Sequence, residues 1–359
     1  LNVGPLFARE RTELLEWLDA GLRDGDAGAL QAENPVAFAS GATLHARVRV
    51  AGRPASHALG RIVHARANGR SLPIGLIGYV YTDPRWRRLG FARACVRVCT
   101  DKLAARGALA MALWTDLDAF YAPLGFRRAG VEWIYELDAA SCRAALADAG
   151  AAFACGVVQE GDWTALEALY AAKPARANRQ SGTLARLASA PACTTLVARR
   201  GGVPVAYASL GRGPDFRSVV HEWAGEGAGV LACFGELCAA RGRLLCLASA
   251  LDEEPLARLR AAGVPRQRGS MGMLAVPDPV RLWCAVGGDA SGVSLTRAAG
   301  AFRLQGDAGH VDLGYDETVA LLLGPAHPAR ATEALSPAQY LTLRATHPWP
   351  LYLWGFDSL

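Results

Sequence analysis

The chain has 359 residues, 52% apolar and 20% charged, with a net charge of +5. At roughly 150 residues per domain it is too long for one ordinary core and should form two or three domains. Its acids and bases are interspersed, no apolar run nears the ~20 residues of a membrane span, and no basic-then-apolar leader opens it; a cytoplasmic protein with neither nucleic-acid nor membrane partners is expected. Nine cysteines contain no Cys-x-x-Cys pair or zinc spacing, so no metal is expected.

Residues 7 to 23 read as an amphipathic helix with Leu14, Leu15, Leu18 and Leu22 on one face. Residues 29 to 38 carry the chain through Glu33-Asn34-Pro35. Alternating runs at 44–50 and 57–66 flank Gly52-Arg53-Pro54 as a hairpin. A strand at 74–82 ends at Pro84, which has no N–H for a ladder. Then comes a helix with apolar residues at 92, 95, 96, 99 and 103 that stops at Gly107, where Cys95 and Cys99 read as core. A strand from Leu109 to Trp114 and the run Phe120-Tyr121-Ala122-Pro123-Leu124-Gly125-Phe126 close the first unit. After an Ala-rich linker at 139–154 the same order returns. A helix from Asp162 to Ala172, a hairpin of 194–200 with 203–210, a strand at 219–223, a helix near 229–240, a strand at 244–249, a helix at 254–262 and a last strand near 271–276 follow. The remainder offers short strands at 302–305, 311–313 and 318–323, a helix from Ser336 to Arg344, and an aromatic tail.

Arg85-Trp86-Arg87-Arg88-Leu89-Gly90-Phe91-Ala92 joins the first unit's strand to its helix. Arginines in a turn before a helix start, with small residues at 90 and 92, suit a ligand's phosphates, because the new helix offers unpaired N–H groups and the positive end of its dipole. The stretch resembles the acetyl-CoA motif of the GNAT superfamily of N-acetyltransferases, Arg/Gln-x-x-Gly-x-Gly/Ala, read as Arg87 to Ala92; Phe120 to Phe126 resembles its Phe-Tyr-x-x-Leu-Gly-Phe element. The resemblance implies an α/β fold of α+β mixed sheets, with acetyl-CoA as co-substrate. Its pantetheine arm would follow the backbone of Val80, Tyr81 and Thr82, and its pyrophosphate would sit on Arg87, Arg88, Leu89, Gly90, Phe91, Ala92 and Arg93. Asp116 matches a further coenzyme-contacting position.

The second unit, 141–280, looks like a degenerate GNAT copy after a catalytic one at 1–140. Where the first has arginines, it has His221-Glu222-Trp223-Ala224-Gly225-Glu226-Gly227, whose carboxylates would repel a pyrophosphate. Two such units followed by a small α+β domain at 281–359 resemble the Eis (enhanced intracellular survival) family, whose third domain is sterol-carrier-like and whose assemblies suggest a homo-oligomer.

An N-acetyltransferase must bring an amine to a thioester, remove the ammonium proton, hold an oxyanion and protonate a thiolate. Tyr121 is the candidate acid: a phenol near pKa 10 stays protonated at neutral pH and can donate to a thiolate whose thiol titrates near 8.5. It aligns with the general-acid tyrosine of the resembled family, in which the C-terminal carboxylate enters the first unit's site. The Leu359 carboxylate is therefore the candidate base, with Glu33 and Asp357 as alternatives that would also meet the substrate. The acceptor is expected to be a small-molecule or peptide primary amine. A longer acyl-CoA donor, or a non-catalytic coenzyme-binding regulator, is the other reading.

Overall fold

The computed structural model describes residues 2–4, 8–39, 41, 43–147, 153–251, 253–353 and 355–359. Two mixed sheets and a small antiparallel one organise it. In the first sheet Leu44–Val50, Arg53–Ala67 and Arg70–Thr82 form a meander. Its turns, Ala51-Gly52 and Asn68-Gly69, have positive φ at both central residues, the geometry that matches the twist of a two-residue hairpin. Arg70–Thr82 then pairs in parallel with Ala110–Leu113, joined by the helix Phe91–Ala105, whose Cys95, Val96, Cys99 and Leu103 are buried against the sheet. Burial pushes the Cys95 and Cys99 thiols up to about 11 and about 12, as befits inert core sulfurs.

The second sheet repeats this order in Thr194–Arg200, Val203–Leu210, Val219–Gly225 and Leu244–Ser249, with the helix Gly227–Arg241 as the crossover. The two sheets exchange strands. Glu132–Leu137, which follows the first unit's Arg127–Ala129, lies in the second sheet between Leu244–Ser249 and Arg266–Gly269. Gly272–Ala275, the strand expected to finish the second unit, lies in the first sheet between Ala110–Leu113 and Arg127–Ala129. Each slot is filled by the other half of the chain.

The C-terminal part has the helix Pro279–Val286, the meander Ser294–Ala298, Ala301–Gly306 and Gly309–Leu313, and the helices Tyr315–Leu323 and Pro337–Thr346. Its Trp283, Leu304 and Leu322 share one core with Leu72, Ile74 and Leu274 of the first sheet.

Two expectations of local structure change, and one stretch left without an element gains two. The apolar run Thr318–Leu323 is helix, not strand: the Glu317 carboxylate accepts from the Gly314 N–H at 3.0 Å, and this capping outweighs a β-like composition. Within the expected linker, Ala139–Leu146 is a helix capped by Asp138, which accepts from the Ser141 N–H at 2.7 Å; residues 148–152 lie outside the described residues. The stretch 29–38 forms two short helices, Ala29–Glu33 and Pro35–Ala39, separated by Asn34.

Candidate active site

The site begins at a defect in a strand. Leu59 pairs with Gly78 but His57 with Tyr81, so one extra residue bulges at Tyr79, which has φ +49°. Pairing with the neighbouring strand ends at Leu76–Ala112, and beyond it the two strands part. Two histidines hold the bulge from behind. His57 Nδ1 lies 2.9 Å from the Tyr79 carbonyl and must donate to it; its Nε2 then accepts from His45 Nδ1 at 3.1 Å. Burial lowers these imidazoles to about 4 and about 3, so both are neutral and each has one proton to place. Sequence reading missed this pair. Its signal was two histidines on adjacent hairpin strands, legible only once the register is known.

Past the bulge, Asp83 accepts from the Arg85 backbone N–H at 3.0 Å and pairs with its guanidinium, which lowers Asp83 to about 2. The turn Pro84–Trp86 leads through Arg88 (φ +65°) and Gly90 (φ +81°) into the helix. Gly90 is needed for that left-handed backbone; a Cβ there would meet nothing within 4 Å. No side chain caps the helix start, so its first N–H groups remain available to an anion. They face a cavity of about 720 Å³ lined by residues 80–82, 86–88 and 90–93, together with Leu117, Phe120 and Tyr121. Leu89, 59% exposed, and Asp116 are the two expected coenzyme contacts that do not line it.

Tyr121 ends the short helix Asp118–Tyr121, its ring edge-on to Phe120 and Phe126 at 4.7 and 5.9 Å. Burial raises its hydroxyl to about 12. With Val80 and Leu117 it also borders a second cavity of about 680 Å³, so the two spaces meet at this tyrosine. The second chamber lies between the units. Gly78, Asp116 and Tyr121 come from the first, Ile134, Val219 and Leu247 from the second sheet, and Ser358 and Leu359 from the tail.

The tail is anchored residue by residue. The Arg212 guanidinium donates to the Gly355 carbonyl and to Ser358 Oγ at 3.0 Å. Asp357 accepts from Arg179 at 2.9 and 2.7 Å and from the Tyr170 hydroxyl at 2.9 Å. Leu359 lies against Gly78, where a glycine Cβ would stand 2.6 Å from the leucine Cβ. Leu359 thus borders the chamber, while Asp357 is turned into the Arg179 cluster and does not line it. Glu33 does not line it either: its carboxylate is held by Arg23 at 2.9 and 2.7 Å, and it is Arg23 that faces the chamber.

Two further acids do line it, Asp215, which is exposed and paired with Arg23, and Glu132. Glu132, 4% exposed on an exchanged strand, has no partner for Oε2 among the described residues, and burial pushes its carboxyl up to about 9. Sequence reading names Glu132 beside Glu33 and Asp357 as an acid that could stand near the cleft mouth, and of these three it is Glu132 that lines the chamber.

The equivalent place in the second unit is closed. Glu254 accepts from the Gly227 N–H at 3.1 Å, putting a carboxylate on the crossover helix where a phosphate would need to sit. Trp223 stands between the parting strands, its Nε1–H directed at the Leu247 carbonyl (3.4 Å), with Lys173 Nζ 3.5 Å from the ring centroid. The adjacent cavity is only about 20 Å³. His221 and Glu222 are internal, bonded to the Gly211 carbonyl and to Arg179. Among the described residues no three His, Cys, Asp or Glu side chains gather to hold a metal, and no helix is long and apolar enough to cross a membrane.

Residues 58–134, the stretch that carries the bulge, the turn and Tyr121, match the family model "FR47-like protein". Comparison with curated proteins gives no match. Among solved structures, Eis1 from Mycobacterium abscessus is similar over 96% of both chains, with 16% identity and a TM-score of 0.59. A GCN5-related N-acetyltransferase from Kribbella flavida is similar over 88% of this chain and 81% of its own (14%, 0.57), and a probable N-acyltransferase from Enterococcus faecalis over 77% and 72% (13%, 0.58). The chain has a tandem GNAT fold and resembles the Eis-type N-acetyltransferases.

Proposed function

We propose that the protein transfers an acetyl group from acetyl-CoA to a primary amine, with the first unit catalytic. The observation that carries this reading is the meeting of two cavities at Tyr121: one runs over an uncapped helix start beside Arg87, Arg88 and Arg93, the other opens toward the second unit. The first suits a coenzyme's phosphates and the second an acceptor, which makes their junction the place for the thioester. The backbone of Val80, Tyr81 and Thr82, past the point where the two strands part, would bind the pantetheine arm; Asp116 faces the acceptor side.

In the reaction the amine nitrogen attacks the thioester carbon, a C–N bond forms, the C–S bond breaks and the thiolate takes a proton. Tyr121 supplies that proton, since its hydroxyl stays protonated throughout the neutral range. The ammonium proton must leave before attack. Leu359 borders the chamber, and where the chain ends there its carboxylate would accept that proton. A primary amine is the acceptor in this reading, and acetyl the acyl group.

The test is thiol release from acetyl-CoA across a panel of amines. Tyr121→Phe should cut turnover at least tenfold while leaving coenzyme affinity unchanged, and residues added after Leu359 should lower it further. Tight coenzyme binding without thiol release on a broad panel would replace the enzyme by a coenzyme-responsive regulator. Faster release from a longer acyl-CoA would change the donor.

A further inference from the structure

The strand Arg53–Ala67 pairs with Arg70–Thr82 through to Ala67 but runs on past its neighbour on the other side. Pairing with Leu44–Val50 ends at Leu44–Gly60, and Arg176–Ala177 joins it only at Ala65 and Arg66. Beside the intervening stretch lies a third cavity of about 310 Å³, apart from the two that meet at Tyr121. Arg61, His64, Arg179, Arg186 and the tail residues Phe356 and Asp357 wall it.

Its charges do not balance. Arg179 is held by Glu222 at 2.7 and 2.9 Å and by Asp357, so these two carboxylates are already committed. Among the described residues neither Arg61 nor Arg186 has a carboxylate in ion-pair contact; Arg186 is exposed, while Arg61 is half-buried and its burial lowers its pKa. A half-buried guanidinium that feels the Asp357 charge but has no carboxylate bonded to it keeps donors to spare, and its planar fork suits an oxyanion. The amide of Gln180 and the hydroxyl of Thr183 also line the space. Donors of this number and spread exceed the two oxygens of a carboxylate and suit a tetrahedral phosphate.

We propose that this cavity is a second anion site, for a phosphate group, free or as a small monoester, held by Arg61 and Arg186 in competition with Asp357. The site is separate from the phosphate turn at Arg87 to Arg93 and does not depend on the acyltransferase reading. Because Asp357 belongs to the segment that ends in Leu359, an anion that draws Arg179 away from Asp357 loosens the hold on the tail. The ligand would then act on the chamber from behind its wall.

The experiment is calorimetric titration of the full chain with inorganic phosphate and, separately, glycerol 3-phosphate. Ionic strength is held constant with chloride, and coenzyme A is saturating so that the phosphate turn does not contribute. One saturable site is expected. Arg61→Gln should weaken it at least tenfold, whereas Asp357→Asn should tighten it severalfold by removing the competing carboxylate. Opposite signs cannot come from general damage, since both variants disturb buried charge, and thermal melts of each confirm folding. Binding of the free ion alone, or of the ester as well, supports the site and identifies its source. No saturable binding, binding indifferent to Arg61→Gln, or weakening by both variants would overturn the proposal. Failure of coenzyme A to bind would instead sink the acyltransferase reading and leave Arg61-dependent binding readable.

Discussion

Gly78→Ala tests whether the end of the chain takes part in catalysis. The added Cβ would stand 2.6 Å from the Leu359 Cβ, whereas ordinary contact begins at 3.4 Å. Leu359 or the strand must therefore give way by about 1 Å, a displacement that can cost on the order of a hundredfold in rate when it falls on a reacting group. Gly78 has no positive φ, so alanine adds no backbone strain and the change is one of packing, worth about 1–3 kcal/mol of stability if the site cannot relax. The assay is steady-state thiol release with saturating acetyl-CoA and the best amine. We expect kcat to fall about a hundredfold while the KM for the coenzyme stays near wild type, because the phosphate turn lies in the other cavity. Deleting Leu359 should cost as much by itself, and Gly78→Ala should then cost nothing more, a non-additivity that ties the two positions together. A soluble Gly78→Ala protein with kcat within twofold of wild type would refute the reasoning.

Other consequences are measurable by stability and stoichiometry. Glu132 binds its proton up to about pH 9 when folded but near pH 4.5 when unfolded, so the folded state holds the extra proton between these values and stability from this group is lost as pH rises through that window. Glu132→Gln should accordingly melt several degrees above wild type at pH 8, with the gap closing toward pH 4; a pH-independent gap would contradict the burial argument. Arg179→Leu strands Glu222 and Asp357 without their shared cation and should cost about 3–5 kcal/mol in chemical denaturation. Calorimetry should find one coenzyme A per chain, since Glu254 and Trp223 occupy the second unit's corresponding positions; two equal sites would show that they move aside.

Local chemistry was legible in sequence and distant pairing was not. The turn at Arg87 to Ala92 and the run at Phe120 to Phe126 are short motifs whose residue types follow from backbone needs, and both border one cavity. The strands Glu132–Leu137 and Gly272–Ala275 carry no mark of their partners, because an apolar alternation specifies a face and not a neighbour. The same limit hid the Arg179 cluster, whose members lie 43 and 178 positions apart. It also left Asp357 standing as an alternative to Leu359, although the former is bound inward and the latter faces the chamber. Thr318–Leu323 failed for a local reason: a threonine and five apolar residues suit either periodicity, and the cap at Gly314 decides.

The exchanged strands set a schedule for synthesis. The slot beside Ala110–Leu113 is filled by Gly272–Ala275, made almost 150 residues after Ala129. At translation speeds of 5–20 residues per second the half carrying the coenzyme turn waits about 7–30 s with an open sheet edge. During that interval a nascent chain on a neighbouring ribosome presents the same unfilled slot, so crowded polysomes are where mispairing between copies would begin, and slower translation after residue 137 would lengthen the exposure.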